Sequence, residues 1–220
     1  MDAFTEKRIK MSNLEECIIK AHEDGLADHI AVRVGKGEQI LNDCFYSADY
    51  AIDSKTLFDM ASVTKIMVTT MLTLIAADRK LLNFDDKVNR FFPCPNDKSE
   101  LTIKHLLTHT MGYGHRSLCE KGNTYDNIQN YILSLPCDFP VGTKVDYSCP
   151  GFILLGKILE KVFGDRLDRL FISLIAAPLG MESSGYCLNC KDAVNSNLSE
   201  AERGLVNDYN CRRRKRGAVF

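Results

Sequence analysis

The chain carries almost no net charge: 28 lysines and arginines stand against 29 aspartates and glutamates, a formal balance of -1 over 220 residues. No global field therefore points to nucleic acid as a partner. A membrane-length apolar run is also missing. The strongly apolar stretch at residues 66–77, Ile-Met-Val-Thr-Thr-Met-Leu-Thr-Leu-Ile-Ala-Ala, falls short of the ~20 residues that cross a bilayer. The opening residues Met1-Asp2-Ala3-Phe4-Thr5-Glu6-Lys7-Arg8 contain no apolar segment of the secretory type. The expectation is a cytoplasmic chain with no membrane partner. Repeats, low-complexity tracts and long linkers are absent too, so residues 1–220 read as a single domain.

Cysteine, by contrast, is plentiful. Nine are present, at positions 17, 44, 94, 119, 137, 149, 187, 190 and 211. An odd number, scattered spacing and no secretory leader favour reduced thiols over a disulfide framework. Cys187 and Cys190 form the one close pair, and no second pair or nearby histidine completes a zinc set. Neither a metal nor a cofactor is expected. With 45% hydrophobic and 26% charged residues, the chain can bury a sizeable core.

Several elements are readable from local signals. Ser12-Asn13-Leu14-Glu15 is a capping box, and Leu14, Cys17, Ile18 and Ala21 form an apolar stripe ending near Gly25. Ile30, Val32 and Val34 alternate with polar or small neighbours, glycines at 35 and 37 make a turn, and residues 39–46 are extended, which predicts a β-hairpin. The uncharged stretch at 66–77 predicts a helix buried on all sides. Thr102 caps a short helix through Leu107, and residues 124–135 read as helical until Pro136. Residues 152–163 form a helix closed by Gly164, and 167–176 another. Two strands are few for the number of helices, since a lone hairpin is marginally stable.

The strongest chemical signal is Ser62-Val63-Thr64-Lys65, the only Ser-x-x-Lys in the chain. Residues three apart share a helical face, so the lysine amine can reach the serine hydroxyl and take its proton. A serine that merely caps a helix ahead of a surface lysine is the bland alternative. The apolar stretch that follows argues against it, because it places Lys65 at the mouth of a core element.

These residues and their surroundings resemble the serine β-lactamase and penicillin-binding protein superfamily, in the branch of class C β-lactamases, D-alanyl-D-alanine carboxypeptidases and related esterases. Phe58-Asp59-Met60-Ala61-Ser62-Val63-Thr64-Lys65 resembles the nucleophile block. Leu101 through Thr110 with Gly112 resembles the helix and loop beside the site, Tyr147-Ser148-Cys149 falls where Tyr-x-Asn is usual, and Pro178-Leu179-Gly180-Met181 is a further signature. The resemblance implies a mixed α/β, β-lactamase/transpeptidase-like fold: an antiparallel sheet with flanking helices and a helical subdomain. It also implies acyl transfer on a small-molecule or peptide acyl substrate. Ser62 would be the nucleophile, Lys65 its base, Tyr147 a second proton-handling group, and the Ser62 amide half of an oxyanion hole. Cys149 would occupy the substrate-binding position of the asparagine. His109 is read as structural, bonded to loop backbone, while His105 and His115 have weaker claims to chemistry.

The pattern departs from the family in two places. A thiol at Cys149 is a poorer hydrogen-bonding group than an amide. The third motif, Lys-Thr-Gly or His-x-Gly on a strand, occurs nowhere in the sequence, so the C-terminal strands are expected to be missing. Two functions follow: a serine acyl hydrolase acting on an ester, amide or β-lactam, or a catalytically inactive homologue that binds. The basic run at residues 212–216 reads as a solvated loop, and the oligomeric state is left open.

Overall fold

A computed structural model of the chain describes residues 11–114 and 127–186. Four features of the sequence fall partly or wholly outside them: His115, the start of the helix expected from Thr124, the Cys187/Cys190 pair and the basic run at 212–216. The described residues divide into two compact units, one ending at Asp59 and the other beginning at Met60.

In the first unit, helix α1 (Met11–Glu23) accompanies a hairpin of β1 (His29–Lys36) and β2 (Gln39–Ser47). The apolar stripe works as expected only in part: Ile18 is buried and Leu14 and Ala21 half-buried, while Cys17 is exposed. The helix stops at Gly25, whose φ of 74° lets the Gly25 and Leu26 amides donate back to the carbonyls of His22 and Ala21. That is a Schellman closure, and glycine is the residue that adopts it without strain. The two strands pair antiparallel from His29 opposite Ser47 to Lys36 opposite Gln39, with an irregularity between Val34 and Gly35. A two-residue loop at Gly37 and Glu38 joins them, so the turn lies slightly later than the glycine spacing suggests.

The second unit is helical. Its spine is α5 (Cys149–Phe163), which packs against α2 (Met71–Asp78), α3 (Ile103–Leu107), α4 (Ile128–Ser134) and α6 (Leu167–Phe171). Phe152, Leu154, Leu155, Ile158 and Leu159 form its buried face, each stabilising the fold by ~1.5–3 kcal/mol. Ser148 caps its start by accepting the Gly151 N–H at 3.2 Å, and Gly164 closes its end in a left-handed conformation (φ 72°). A reciprocal cap opens α3: Thr102 Oγ1 accepts the His105 N–H at 3.3 Å, and His105 Nδ1 accepts the Thr102 N–H at 3.2 Å. That cap occupies His105 with backbone, and such caps contribute about 1 kcal/mol.

The uncharged stretch does not match its expectation of burial on all sides. It enters as a 3-10 turn (Ala61–Val63), winds through a π turn (Lys65–Thr70) and becomes α2. Val68, Thr69, Leu72, Thr73 and Ala76 are buried, but Ile66 is 68% and Leu74 46% exposed. The run Ala61–Asp78 has a mean hydropathy of 1.3 over 18 residues, the length and composition of a short membrane-crossing helix, and the core helix of a soluble protein meets the same measure.

Candidate active site

The site is assembled within the second unit, at the entrance to that helical run. Ala61 has φ 40°, a left-handed conformation that costs an L-residue ~1–2 kcal/mol. It turns the chain sharply into the 3-10 turn that carries Ser62. One turn on, Lys65 Nζ donates to Ser62 Oγ at 2.9 Å. The spacing therefore does what an i, i+3 pair predicts. Ser62 is exposed and Lys65 half-buried, so the lysine is not sunk into a core, as its neighbours suggested, but lies along an aromatic floor.

That floor is built by the loop before α5 and by its first turn. Lys65 Nζ stands 5.0 Å from the centroid of the Tyr147 ring and 6.0 Å from that of Phe152. A cation over aromatic faces is held by their quadrupoles, by ~0.5–1 kcal/mol per ring at such partly exposed positions. The contact with Tyr147 is through the ring face. Tyr147 itself is 48% exposed.

His109 completes the floor. Its ring lies 4.6 Å from Tyr147 and 5.0 Å from Phe152, centroid to centroid. Its Nδ1 accepts the Ser148 N–H at 2.9 Å, and its carbonyl accepts the Asp146 N–H at 2.8 Å. Bonding to loop backbone, expected of this residue, is what the geometry shows. Because an amide donates into Nδ1, the neutral ring carries its proton on Nε2, an assignment from the hydrogen-bond network. Burial first, and the Lys65 cation second, push the His109 imidazole below its usual 6.5.

Cys149 is the first residue of α5 and half-buried. Its neighbour Ser148 is fully buried, with its hydroxyl 3.0 Å from Met111 Sδ. Ser62, Lys65 and Tyr147 are therefore brought together, and Cys149 follows two residues after the tyrosine. Sequence reasoning did not foresee the stacking of His109 and Phe152 on Tyr147. Phe152 sits on the buried face of α5 and reads as plain core. A separate concavity of about 220 Å³, lined by Ile18, Cys44 and Tyr46 among others, belongs to the first unit and holds none of these residues.

A short antiparallel sheet and a helical body with this serine and lysine at a helix entrance define a mixed α/β protein of the β-lactamase/transpeptidase-like fold. The chain belongs to the Beta-lactamase family, whose model matches residues 19–188. It is similar to Esterase EstB of Burkholderia gladioli, at 36% identity over 154 residues, covering 60% of this chain and 38% of the esterase. Among solved structures, the octameric penicillin-binding protein homologue from Pyrococcus abyssi superposes with a TM-score of 0.73 at 21% identity, covering 88% of this chain and 49% of that one. The β-lactamase/D-alanine carboxypeptidase from Yersinia pestis gives a TM-score of 0.69 at 21% identity, covering 86% and 60%. The chain thus spans under two fifths of the esterase it matches.

Proposed function

We propose that the chain carries the nucleophilic half of a serine acyl hydrolase, acting on a small-molecule or peptide acyl substrate through an acyl-serine intermediate. The observation that carries this reading is the 2.9 Å contact between Lys65 Nζ and Ser62 Oγ on an exposed serine. In its amine form Lys65 takes the hydroxyl proton as Ser62 Oγ attacks the carbonyl carbon. The tetrahedral intermediate collapses by expelling the leaving group, which takes the proton held by Lys65, directly or relayed through the Tyr147 phenol, so that Lys65 returns to its amine form. Water then attacks the acyl-serine carbonyl, giving a proton to the Lys65 amine, and the second tetrahedral intermediate expels Ser62 Oγ, which takes that proton back. Similarity to an esterase favours an ester among ester, amide and β-lactam substrates.

A second reading, an inactive homologue that binds, is favoured by one observation: a thiol stands at Cys149, where an amide would hydrogen-bond substrate and lysine. Both readings meet in one measurement. Intact mass is recorded after incubation with a fluorophosphonate or a penicillin, for the chain and for Ser62→Ala. The hydrolase reading expects one adduct that disappears in the variant, and a chain that gains no Ser62-dependent mass supports the inactive homologue.

A further inference from the structure

We propose that His109 is the positioning residue of this site: it fixes Tyr147 against Lys65 by accepting the amides on both sides of the tyrosine and stacking on its ring. The inference rests on the acyl-hydrolase reading for its catalytic consequence, though not for its geometry.

Three observations converge on the same residue. The Asp146 N–H donates to the His109 carbonyl at 2.8 Å, and the Ser148 N–H donates to His109 Nδ1 at 2.9 Å, so residue 147 is bracketed by bonds to a single partner. The imidazole then covers the Tyr147 ring at 4.6 Å with a tilt of 33°, while Lys65 Nζ stands 5.0 Å from the centroid of the same ring. Histidine joins an acceptor and an aromatic face in one group, which asparagine or phenylalanine alone does not. Finally, His109 has φ 56°, a left-handed backbone that a non-glycine residue holds only when its surroundings over-determine it. They do so here: the Thr110 N–H donates to the His105 carbonyl at 2.9 Å, and the Gly142 N–H to the Thr110 carbonyl at 2.8 Å.

The Ser148 bond to Nδ1 makes the bracket sensitive to acid. Protonation places a hydrogen on Nδ1, so the Ser148 amide loses its acceptor and a second cation appears beside Lys65. Among the described residues, Lys65 is the charge that acts on the ring and Tyr147 the titratable group stacked on it; Asp146, bonded to the His109 carbonyl through its amide, has its carboxylate 3.5 Å from Lys144 Nζ. Burial and Lys65 both favour the neutral ring, so the bracket persists to below pH 6.5 and opens as the imidazole charges.

The test uses the full chain with 3-fluorotyrosine and the variants His109→Asn, His109→Phe and His109→Gly. Asparagine keeps an acceptor and tolerates the left-handed backbone, phenylalanine keeps only the ring, and glycine keeps only the backbone freedom. The fluorine signal of Tyr147, assigned with Tyr147→Phe, should show a step with pH whose midpoint lies below 6.5. The step should vanish in His109→Asn, and in His109→Gly the signal should move to the position of a solvent-exposed tyrosine. The rate of Ser62 labelling by a fluorophosphonate should fall about 10- to 100-fold in His109→Phe and His109→Gly, as expected for misplacement near 1 Å, and stay within about threefold in His109→Asn. Absence of labelling in the parent chain removes only the hydrolase reading, because the fluorine measurement still decides the role of His109. A Tyr147 signal that keeps its acid step in His109→Asn, or is unmoved in a folded His109→Gly, overturns the proposal.

Discussion

Gly112 and Cys137 approach so closely that a β-carbon on the glycine would stand 2.6 Å from the cysteine sulfur. The glycine also has φ 109°, and its carbonyl accepts the amides of Asp138 and Phe139 at 2.9 and 3.2 Å. This contact ties the loop after α3 to the segment that leads toward Tyr147, so it sets the frame in which His109 meets the tyrosine.

Gly112→Ala should therefore destabilise the chain by at least about 2 kcal/mol, from backbone strain and overpacking together. Pairing it with Cys137→Ala removes the sulfur and should recover the largest part of the steric share, leaving the strain at φ 109° and the contacts at 3.1 and 3.2 Å with the Phe139 carbonyl and the β-carbon of residue 137. Urea unfolding of the two single variants and the double variant separates the shares. Strict additivity of the two changes would argue against the contact.

Lys98 is a charged residue at 1% exposure. Its Nζ donates to the Leu135 carbonyl at 2.6 Å and to the Asp97 carboxylate at 2.9 Å. Lys98→Met should lose about 1–3 kcal/mol by removing the donor from the half-buried Leu135 carbonyl. It should also change the acid response. The Lys98 hydrogen bond, ahead of the opposing effect of burial, holds the Asp97 carboxyl below its usual 3.8. A folded-state value below the unfolded one means that Asp97 contributes stability above pH 3.8, lost as pH falls through the folded value. In Lys98→Met the Asp97 titration, followed by carboxyl carbon NMR, should return toward 3.8. A titration that stays depressed would assign the shift to some other group.

The helical run after Ser62 shows what local sequence encodes and what it leaves out. An uncharged stretch announces a helix against a core, and Leu72, Thr73 and Ala76 are fully buried. Which further sides are covered depends on neighbours distant in the chain, and among the described residues no strand beyond an isolated bridge accompanies this unit. Leu72→Ala should thus cost about 2–5 kcal/mol, whereas Ile66→Ser, at a residue 68% exposed, should change stability by less than about 0.5 kcal/mol. Thermal or urea unfolding checks both, and a large loss in Ile66→Ser would reveal a partner surface over that face.

The site was legible in proportion to how local it is. Ser62 and Lys65 are one turn apart, so their spacing alone predicts the hydrogen bond. The capping box of α3 and the glycine stops of α1 and α5 are likewise short-range chemistry. Tyr147 reaches Lys65 only through the tertiary fold, and no spacing announces it; the family resemblance supplied it. The bracket from His109 was half visible, as a histidine expected to bond loop backbone. Its stacking on Tyr147 was not, because the partner loop is recruited across the packing of α3 on α5.

Cys149 offers the most direct test of how far the site departs from an efficient acyl hydrolase. It opens α5, half-buried, two residues beyond Tyr147. A thiol donates and accepts weakly, while an asparagine amide offers two donors and an acceptor. On the acyl-hydrolase reading, Cys149→Asn should raise the rate of Ser62 labelling about tenfold, the effect of one added hydrogen bond of ~1.4 kcal/mol in the transition state. Cys149→Ser, close in size but with a single hydroxyl, should gain less. The position is only half-buried, so stability should move by less than about 1 kcal/mol in either variant. If the parent chain labels and Cys149→Asn labels no faster, the thiol is not what limits the site, and the limit lies in the oxyanion donors or the leaving-group proton instead.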